Sequence, residues 1–401
     1  MGSITFWGAI TMGKWTSWKA GTIGFLCGSV FFSGLSYAAT GGITVDFRSI
    51  YYYFDGVNKQ PPKDAQGFVY NNTTYVPLRF VGESLGKSVL WGNATSSVYI
   101  GTKPAQPANP PVSSPASPPA TSTGLQVFPK DNAWNTDISA YPVHKNSANF
   151  ITSIGASRGM HADFGTVWEG ATIGIPYTIV SGDQAKVKVT FTDYADESDP
   201  GPYPIPLNAP IEGGPSSTGD RHVIVVDKDN QLLYELFNAR PSGQGWTASG
   251  GAKWDLKTGA PRPRGWTSAD AAGLPIFPGL VRYDEASTGE INHALRFTVS
   301  KTQKGFVFPA SHYASSSTDQ NLPPMGLRLR LRQDFDVAGY SKTNQAILRA
   351  LKKYGMIIAD NGSSLYLSGA PDPRWNDDDL HKLGQIKGSD FEVVDTGKIE
   401  K

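Results

Sequence analysis

Gly219-Asp220-Arg221-His222-Val223-Ile224-Val225-Val226-Asp227-Lys228-Asp229-Asn230-Gln231-Leu232-Leu233-Tyr234-Glu235-Leu236-Phe237-Asn238-Ala239 is the stretch whose reading decides the fold. Two apolar runs flank Asp229-Asn230, a pair suited to a tight turn with positive φ, so the segment predicts a β-hairpin. With those two residues as the loop, Lys228 faces Gln231, Ile224 faces Glu235 and His222 faces Phe237. Strand side chains alternate, which puts His222, Ile224, Val226, Leu233, Glu235 and Phe237 on one face. His222 and Glu235 are then diagonal neighbours, roughly 7 Å apart at the backbone. A histidine and a glutamate there read as an acid and its partner displayed in a groove. The same residues also fit a solvent-facing surface, or a Glu235 salt-bridged to Arg221 or Arg240. Register is the sensitive point: an odd number of loop residues moves Glu235 to the face of Arg221 and Val223.

Around this hairpin lies a chain of 401 residues, room for two or three domains. Lysine plus arginine number 36 against 35 acidic residues, so no strong field favours nucleic acid or an anionic membrane. With 44 glycines, 29 prolines and many aromatic residues, the composition is that of a turn-rich β protein. Residues 1–38 read as a secretory signal peptide: Lys14 and Lys19 precede an apolar run from Gly21 to Leu35, and Ser36-Tyr37-Ala38 offers small residues for cleavage before Ala39. A retained membrane anchor competes with that reading, but the run is short and glycine-rich for a spanning helix. Cys27, the sole cysteine, falls inside the signal, so the mature chain is expected to have no disulfide or thiol chemistry. The expected destination is outside the cell, with association to the cell wall, and no membrane contact once the signal is removed.

Residues 39–102 form a small unit of their own. Short strands are expected around Ile43 to Phe47 and Gly67 to Tyr70, with an Asn71-Asn72 turn. A helix carries Leu78, Val81 and Leu85 at helical spacing and ends at Gly86, and two strands follow at Val89-Leu90-Trp91 and Ser97-Val98-Tyr99-Ile100. The run Tyr75-Val76-Pro77-Leu78-Arg79-Phe80-Val81 together with Trp91 makes residues 43–101 resemble the copper amine oxidase N-terminal-like domain of secreted Firmicutes proteins. That resemblance implies a small α+β stalk or wall-facing accessory module that contacts cell-wall glycan. The segment holds no His or Cys to ligate copper. Residues 103–124 are Pro, Ser, Ala and Thr almost throughout and predict an extended spacer.

From residue 125 to 401 the signals are those of one β-rich domain, a β-sandwich or jelly roll with a few helices. Strands are expected at Ile173 to Val180, Lys186 to Thr192, Ile291 to Val299, Gly305 to Phe308 and Gly326 to Leu331. A helix is expected at Thr343 to Tyr354, followed by a hairpin of Met356 to Ala359 and Ser364 to Leu367 about Asp360-Asn361-Gly362.

Three tryptophans, Trp246, Trp254 and Trp266, stand close together in glycine-rich sequence with Arg262 and Asp270. Flat aromatic faces receive the apolar faces of sugar rings while Asp and Arg bond the hydroxyls, so these five residues are candidate substrate contacts. Buried tryptophans in a loop wrapped over the sheet would give the same pattern. Hydrolysis of a glycosidic bond needs two carboxyl groups, one protonated and one ionised. Glu235, flanked by apolar residues that would raise its pKa, is the first choice of acid; Asp220 and Asp255 are the candidates for the ionised partner, with Asp270, Glu212 and Asp284 behind them. His222, and His293 at the edge of the Leu295, Phe297, Val299 face, complete the catalytic candidates. His293 reads equally as a core histidine bonded to a carbonyl.

Other chemistries find fewer parts. The chain has no Gly-x-Ser-x-Gly elbow, no His-Glu-x-x-His zinc motif and no phosphate-cradling loop, and its six histidines are scattered. Neither a catalytic metal nor an organic cofactor is expected. Asp372, Asp377, Asp378 and Asp379 near Trp375 suit either a structural calcium or a solvated acidic turn. The expected function is a secreted, endo-acting glycoside hydrolase on polysaccharide. The alternatives are a polysaccharide lyase using His or Tyr with Arg, or a carbohydrate- or wall-binding protein without catalysis. Residues from Asn132-Ala133-Trp134-Asn135 through Ile291-Asn292-His293-Ala294-Leu295 place the domain in resemblance to a group of uncharacterised secreted bacterial and fungal proteins, from which no catalytic residue carries over.

Overall fold

A computed structural model of the protein describes residues 48–62, 66–70, 73–87, 89–92, 97–101, 125, 127–168 and 171–401. The signal segment 1–38, the strand expected at Ile43 to Phe47, the Asn71-Asn72 turn and the spacer 103–124 lie outside the described residues. The chain divides into two compact units between Ser88 and Val89.

In the first unit, Tyr52–Phe54 and Val57–Lys59 form an antiparallel hairpin. Its loop residues Asp55 and Gly56 both have positive φ, 49° and 80°, the pairing that matches strand twist in a two-residue turn. Phe68–Tyr70 and Thr73–Tyr75 form a second hairpin. The helix Leu78–Ser84 begins after Pro77, whose ring fixes φ at −64°, and Gly86 leaves it at φ 71°. Phe80 anchors this helix, its ring edge-on to Tyr52 and Phe54 at 5.3 and 5.6 Å. Leu78 and Leu85 stay exposed, so the helical spacing located the helix but not its packed face.

The second unit opens with the antiparallel pair Val89–Gly92 and Ser97–Ile100. Beyond it the unit is mostly strand, arranged in several sheets with few helices. Tyr177–Val180, Val223–Asp227, Leu232–Phe237 and Gly250–Asp255 lie side by side in a four-stranded sheet. The central hairpin pairs Ile224 with Glu235 and Val226 with Leu233, the register expected, but its turn spans Lys228 to Gln231 and the positive φ, 56°, is at Gln231 rather than at Asp229 or Asn230. His222 lies beside Phe237, with ring centroids 5.9 Å apart and the planes tilted by 42°.

Both faces of this sheet are covered, which is why its apolar runs are continuous rather than alternating. Ile224, Val226, Leu233, Ala252 and Trp254 face the larger core. Val223, Val225, Tyr234 and Leu236 face a second core that includes Tyr203, Ile205 and Trp246. That second core also takes in a three-stranded sheet of Val189–Phe191, Gly245–Ala248 and Arg240–Ser242.

The larger core contains a six-stranded mixed sheet. Its spatial order is Phe391–Val393, Arg328–Leu331, Met356–Asn361, Leu295–Val299, Tyr366–Ser368 and His161–Asp163. The hairpin expected about Asp360-Asn361-Gly362 does not form. Leu295–Val299 lies between its two arms, parallel to Met356–Asn361 and antiparallel to Tyr366–Ser368. Leu295, Phe297 and Val299 are fully buried, and a strand so placed must satisfy its backbone groups at both edges. The strand expected at Gly305 to Phe308 shrinks to isolated bridges from Phe306 to Met325 and Glu400.

The helix Lys342–Lys353 packs Ile347, Leu348 and Leu351 into this core. Ser341 caps it by accepting from Asn344 N, Lys352 and Lys353 sit where the helix dipole favours cations, and Gly355 follows at φ 71°. Burial of each such aliphatic side chain contributes roughly 1.5–3 kcal/mol.

Candidate functional site

Glu235, the residue the hairpin pattern marks first, is inside the protein. It is 0 % exposed. Its Oε1 accepts from Phe277 N at 2.8 Å and Ile276 N at 2.9 Å, so it anchors the start of the 3-10 turn Phe277–Gly279. Burial pushes its pKa up to about 7 against the lowering effect of those two N–H groups.

The neighbouring His222 is equally buried, and both of its ring nitrogens face acceptors. Nδ1 lies 2.6 Å from Glu212 Oε2, and Nε2 lies 3.0 Å from the Ala269 carbonyl. A carboxylate and a carbonyl cannot donate, so the ring carries both protons. Burial disfavours that imidazolium, yet the Glu212 charge and hydrogen bond outweigh it and lift the pKa to about 9. In return, burial would raise Glu212, but the His222 charge overcomes it and holds this carboxyl below the usual range. Glu212 Oε2 also accepts from His222 N at 3.2 Å, and Glu212 N donates to His222 O at 3.0 Å. Among the described residues Oε1 has no protein partner. Gly213, which follows, has φ 69°, and a Cβ there would meet Ser217 Oγ at 2.5 Å; glycine lets the chain turn directly after the carboxylate.

Glu212 is 25 % exposed and lines a cleft of about 690 Å3 whose other titratable lining residues are His161, Asp163, Asp377 and His381. His161–Asp163 is the edge strand of the six-stranded sheet, and its alternation puts His161 and Asp163 on one face. His161 packs against Tyr366, with ring centroids 4.3 Å apart and the planes tilted by 35°. Solvent reaches Asp163, but the surrounding protein strips part of its hydration and raises its pKa; His161 opposes the rise and Glu212 adds to it. The same crowding lowers the pKa of His161, with Asp163 opposing and His381 assisting. Asp377 accepts from Thr166 N and Thr166 Oγ1, which ties the short helix Asp377–His381 to the wall of the cleft.

Beneath the cleft runs a buried ion network. Arg296 Nε and Nη2 each lie 2.8 Å from an oxygen of Asp270, and Nη1 donates to Ser368 Oγ at 2.6 Å. Ser368 is the register partner of Asp163. Asp360 lies 3.8 Å from Arg296 Nη2; burial and the Asp270 charge push its pKa up to about 6.

The other candidates lie elsewhere. Asp220 is exposed, and its carbonyl accepts from Asn238 N. Asp255 closes a turn by accepting from Lys257 N and Thr258 N. His293 sits in a separate buried cluster, 2.9 Å from Arg282 Nη2 and 3.2 Å from Glu285 Oε2, on a cavity of about 420 Å3.

The three tryptophans form no common platform. Trp246 and Trp254 are buried on opposite faces of the four-stranded sheet, and half-buried Trp266 stacks with Arg262. Arg262 is held by Asp199 Oδ2 at 2.6 Å and the Thr267 carbonyl at 2.7 Å, with its guanidinium over both Trp254 and Trp266. Asp270 is wholly committed to Arg296 and local backbone. The four C-terminal aspartates also diverge: Asp372 pairs with Arg374, Asp377 with Thr166, Asp379 with Lys382 and Ser341, and Asp378 is exposed. Among the described residues no cluster of three or more His, Cys, Asp or Glu could hold a metal ion.

His161, Asp163 and His381 escaped the sequence reading, and Asp377 entered it only within the acidic cluster near Trp375. The available signal was a histidine and an aspartate two apart, His161-Ala162-Asp163, in a strand too short to show periodicity.

Comparison with known families matches residues 42–106 to the copper amine oxidase N-terminal domain, in agreement with the resemblance carried by Tyr75 to Val81 and Trp91. The match lies wholly outside the cleft. Neither the curated proteins nor the solved structures yield a match to the chain.

Proposed function

We propose that the protein is a glycoside hydrolase acting on polysaccharide at the Asp163–Glu212 cleft. The observation that carries this reading is that two carboxyl groups on one cleft have their pKa values driven in opposite directions, Asp163 up and Glu212 down. Environments that separate two carboxyls in this way assign an acid and a base. Asp163, whose protonated form the raised pKa favours, gives its proton to the glycosidic oxygen as the C–O bond breaks. Glu212, ionised and steadied by His222, supplies its Oε1 either to take a proton from the attacking water or to bond the anomeric carbon. In the first case the water oxygen bonds the anomeric carbon, and Glu212 passes its proton to solvent while Asp163 takes one back; in the second, water deprotonated by Asp163 attacks the anomeric carbon and breaks its bond to Glu212, which restores both carboxyls.

Elimination from a uronate needs a cation to neutralise the sugar carboxylate. The described lining residues of the cleft include no Lys or Arg, which favours hydrolysis over the lyase alternative. The accessory unit and the Pro-rich sequence after it fit a secreted enzyme working at the cell wall, with the unit contacting wall glycan. Among the described residues no helix is long and apolar enough to cross a membrane.

The test is incubation of the full chain with a polysaccharide panel, following reducing ends and the ultraviolet absorbance of unsaturated uronates together. Reducing ends without that absorbance support the proposal. Both together indicate a lyase, and neither across a broad panel indicates a binding protein.

A further inference from the structure

A second concavity in the same unit has the opposite charge character. A groove of about 930 Å3 is lined by Lys145, Lys398 and Lys401 against a single acid, Asp395, whereas the proposed catalytic cleft presents carboxylates and no Lys or Arg. Lys145 and Lys398 are exposed and make no ion pair among the described residues. Asp395 is partly engaged, its Oδ1 accepting from Gly397 N at 3.1 Å.

The remaining walls are rich in side-chain amides. Asn146 Nδ2 donates to the Gln320 carbonyl at 3.0 Å, and Asn149 Nδ2 donates to Asn321 Oδ1 at 3.0 Å, so these amides are held in place across two segments of chain. Asn146 also starts the eight-residue helix Ser147–Ile154, whose N-terminus has no side-chain cap and adds a positive partial charge to the same wall. Amides both donate and accept, as vicinal sugar hydroxyls require, while lysines act as point cations toward anions. No arginine and no exposed aromatic ring lines the groove, so the base-stacking chemistry of nucleic-acid binding is missing from its described walls.

We propose that this groove binds an acidic polysaccharide, a hydroxylated chain bearing carboxylate or sulfate groups, separately from the cleft. The ligand docks with its anions on Lys145 and Lys398 and its hydroxyls on Asn146, Gln320 and Asn321. It holds the protein on an anionic matrix while the cleft stays available. This inference is independent of the proposed hydrolysis and survives if the cleft proves inactive.

The experiment is biolayer interferometry with the full chain on surfaces carrying polygalacturonate, a sulfated glycan, neutral dextran or a single-stranded DNA oligomer. The expected result is saturable binding to both acidic glycans, none to dextran, and about tenfold weaker binding by the Lys145→Gln/Lys398→Gln double variant. Asp163→Asn should bind as the wild type does. The proposal is overturned by absence of binding to both acidic glycans at low salt, by equal binding to DNA, by undiminished binding in the double variant, or by loss of binding in Asp163→Asn.

Discussion

Glu212 Oε2 lies 2.6 Å from His222 Nδ1, and this contact holds the Glu212 carboxyl of the cleft below its usual pKa range against burial. The imidazolium below favours the ionised form of Glu212, while loss of hydration raises the pKa of Asp163, with Glu212 adding to the rise and His161 and Arg296 opposing it. Asp163→Asn and Glu212→Gln should therefore each lower turnover on a responsive polysaccharide by about 10²- to 10⁴-fold with melting curves close to wild type for Asp163→Asn. Initial rates of reducing-end release measure this. Near-wild-type rates in both variants would sink the assignment.

Stability should depend on pH through the same pair. His222 has a folded pKa of about 9, above its ordinary 6.5, so its contribution is complete below 6.5 and is lost as pH rises through about 9. Glu212 is depressed, so its contribution is present above 4.5 and is lost as pH falls through its lowered value. The difference in melting temperature between wild type and His222→Gln should be largest from about pH 5 to 7 and should shrink toward pH 10. A difference that grows in alkali contradicts the charged pair.

Glu235 has the reverse character to a salt-bridged acid. Its pKa of about 7 exceeds the ordinary 4.5, so the stability it contributes is complete below 4.5 and is lost as pH rises through about 7. The loss amounts to roughly 3 kcal/mol for a fully buried carboxyl with this shift. Glu235→Gln keeps an acceptor for Ile276 N and Phe277 N and cannot ionise. The variant should hydrolyse polysaccharide at near-wild-type rate, and its melting temperature should change less between pH 5 and 8. Complete loss of turnover in a folded Glu235→Gln protein would return the acid role to Glu235.

Arg296 and Asp270 are both buried and joined through two 2.8 Å contacts. Arg296→Ala leaves the Asp270 carboxyl buried without its cation and should cost about 3–5 kcal/mol in urea unfolding. The Arg296→Ala/Asp270→Ala double variant should cost less than the sum of the single changes, because it removes the unpaired charge. Strict additivity would show that the pair is not coupled.

Much of the local structure was legible in the chain. Asp229-Asn230 between two apolar runs set the hairpin register, and the spacing of Ile347, Leu348 and Leu351 with Gly355 behind them located a helix to within a residue. Tyr75 to Val81 with Trp91 pointed to the accessory domain. These features depend on residues close in sequence, where backbone propensity and side-chain alternation act directly. The face on which Glu235 lies was also legible, but not that this face is covered by the larger core.

The cleft had no such signature. His161 and Asp163 reach it because their three-residue strand pairs with Tyr366–Ser368, which in turn pairs with Leu295–Val299. Glu212 reaches it from a loop fastened to His222. The intruding strand that cancels the Asp360-Asn361-Gly362 hairpin belongs to the same chain of pairings. The sequence by itself determined the central hairpin and its register, the helix ending before Gly355 and the supply of carboxylates. Only the tertiary structure decided which carboxylates share water and which are sealed in the core, because hydration and neighbouring charge are set by contacts between segments that local periodicity does not encode.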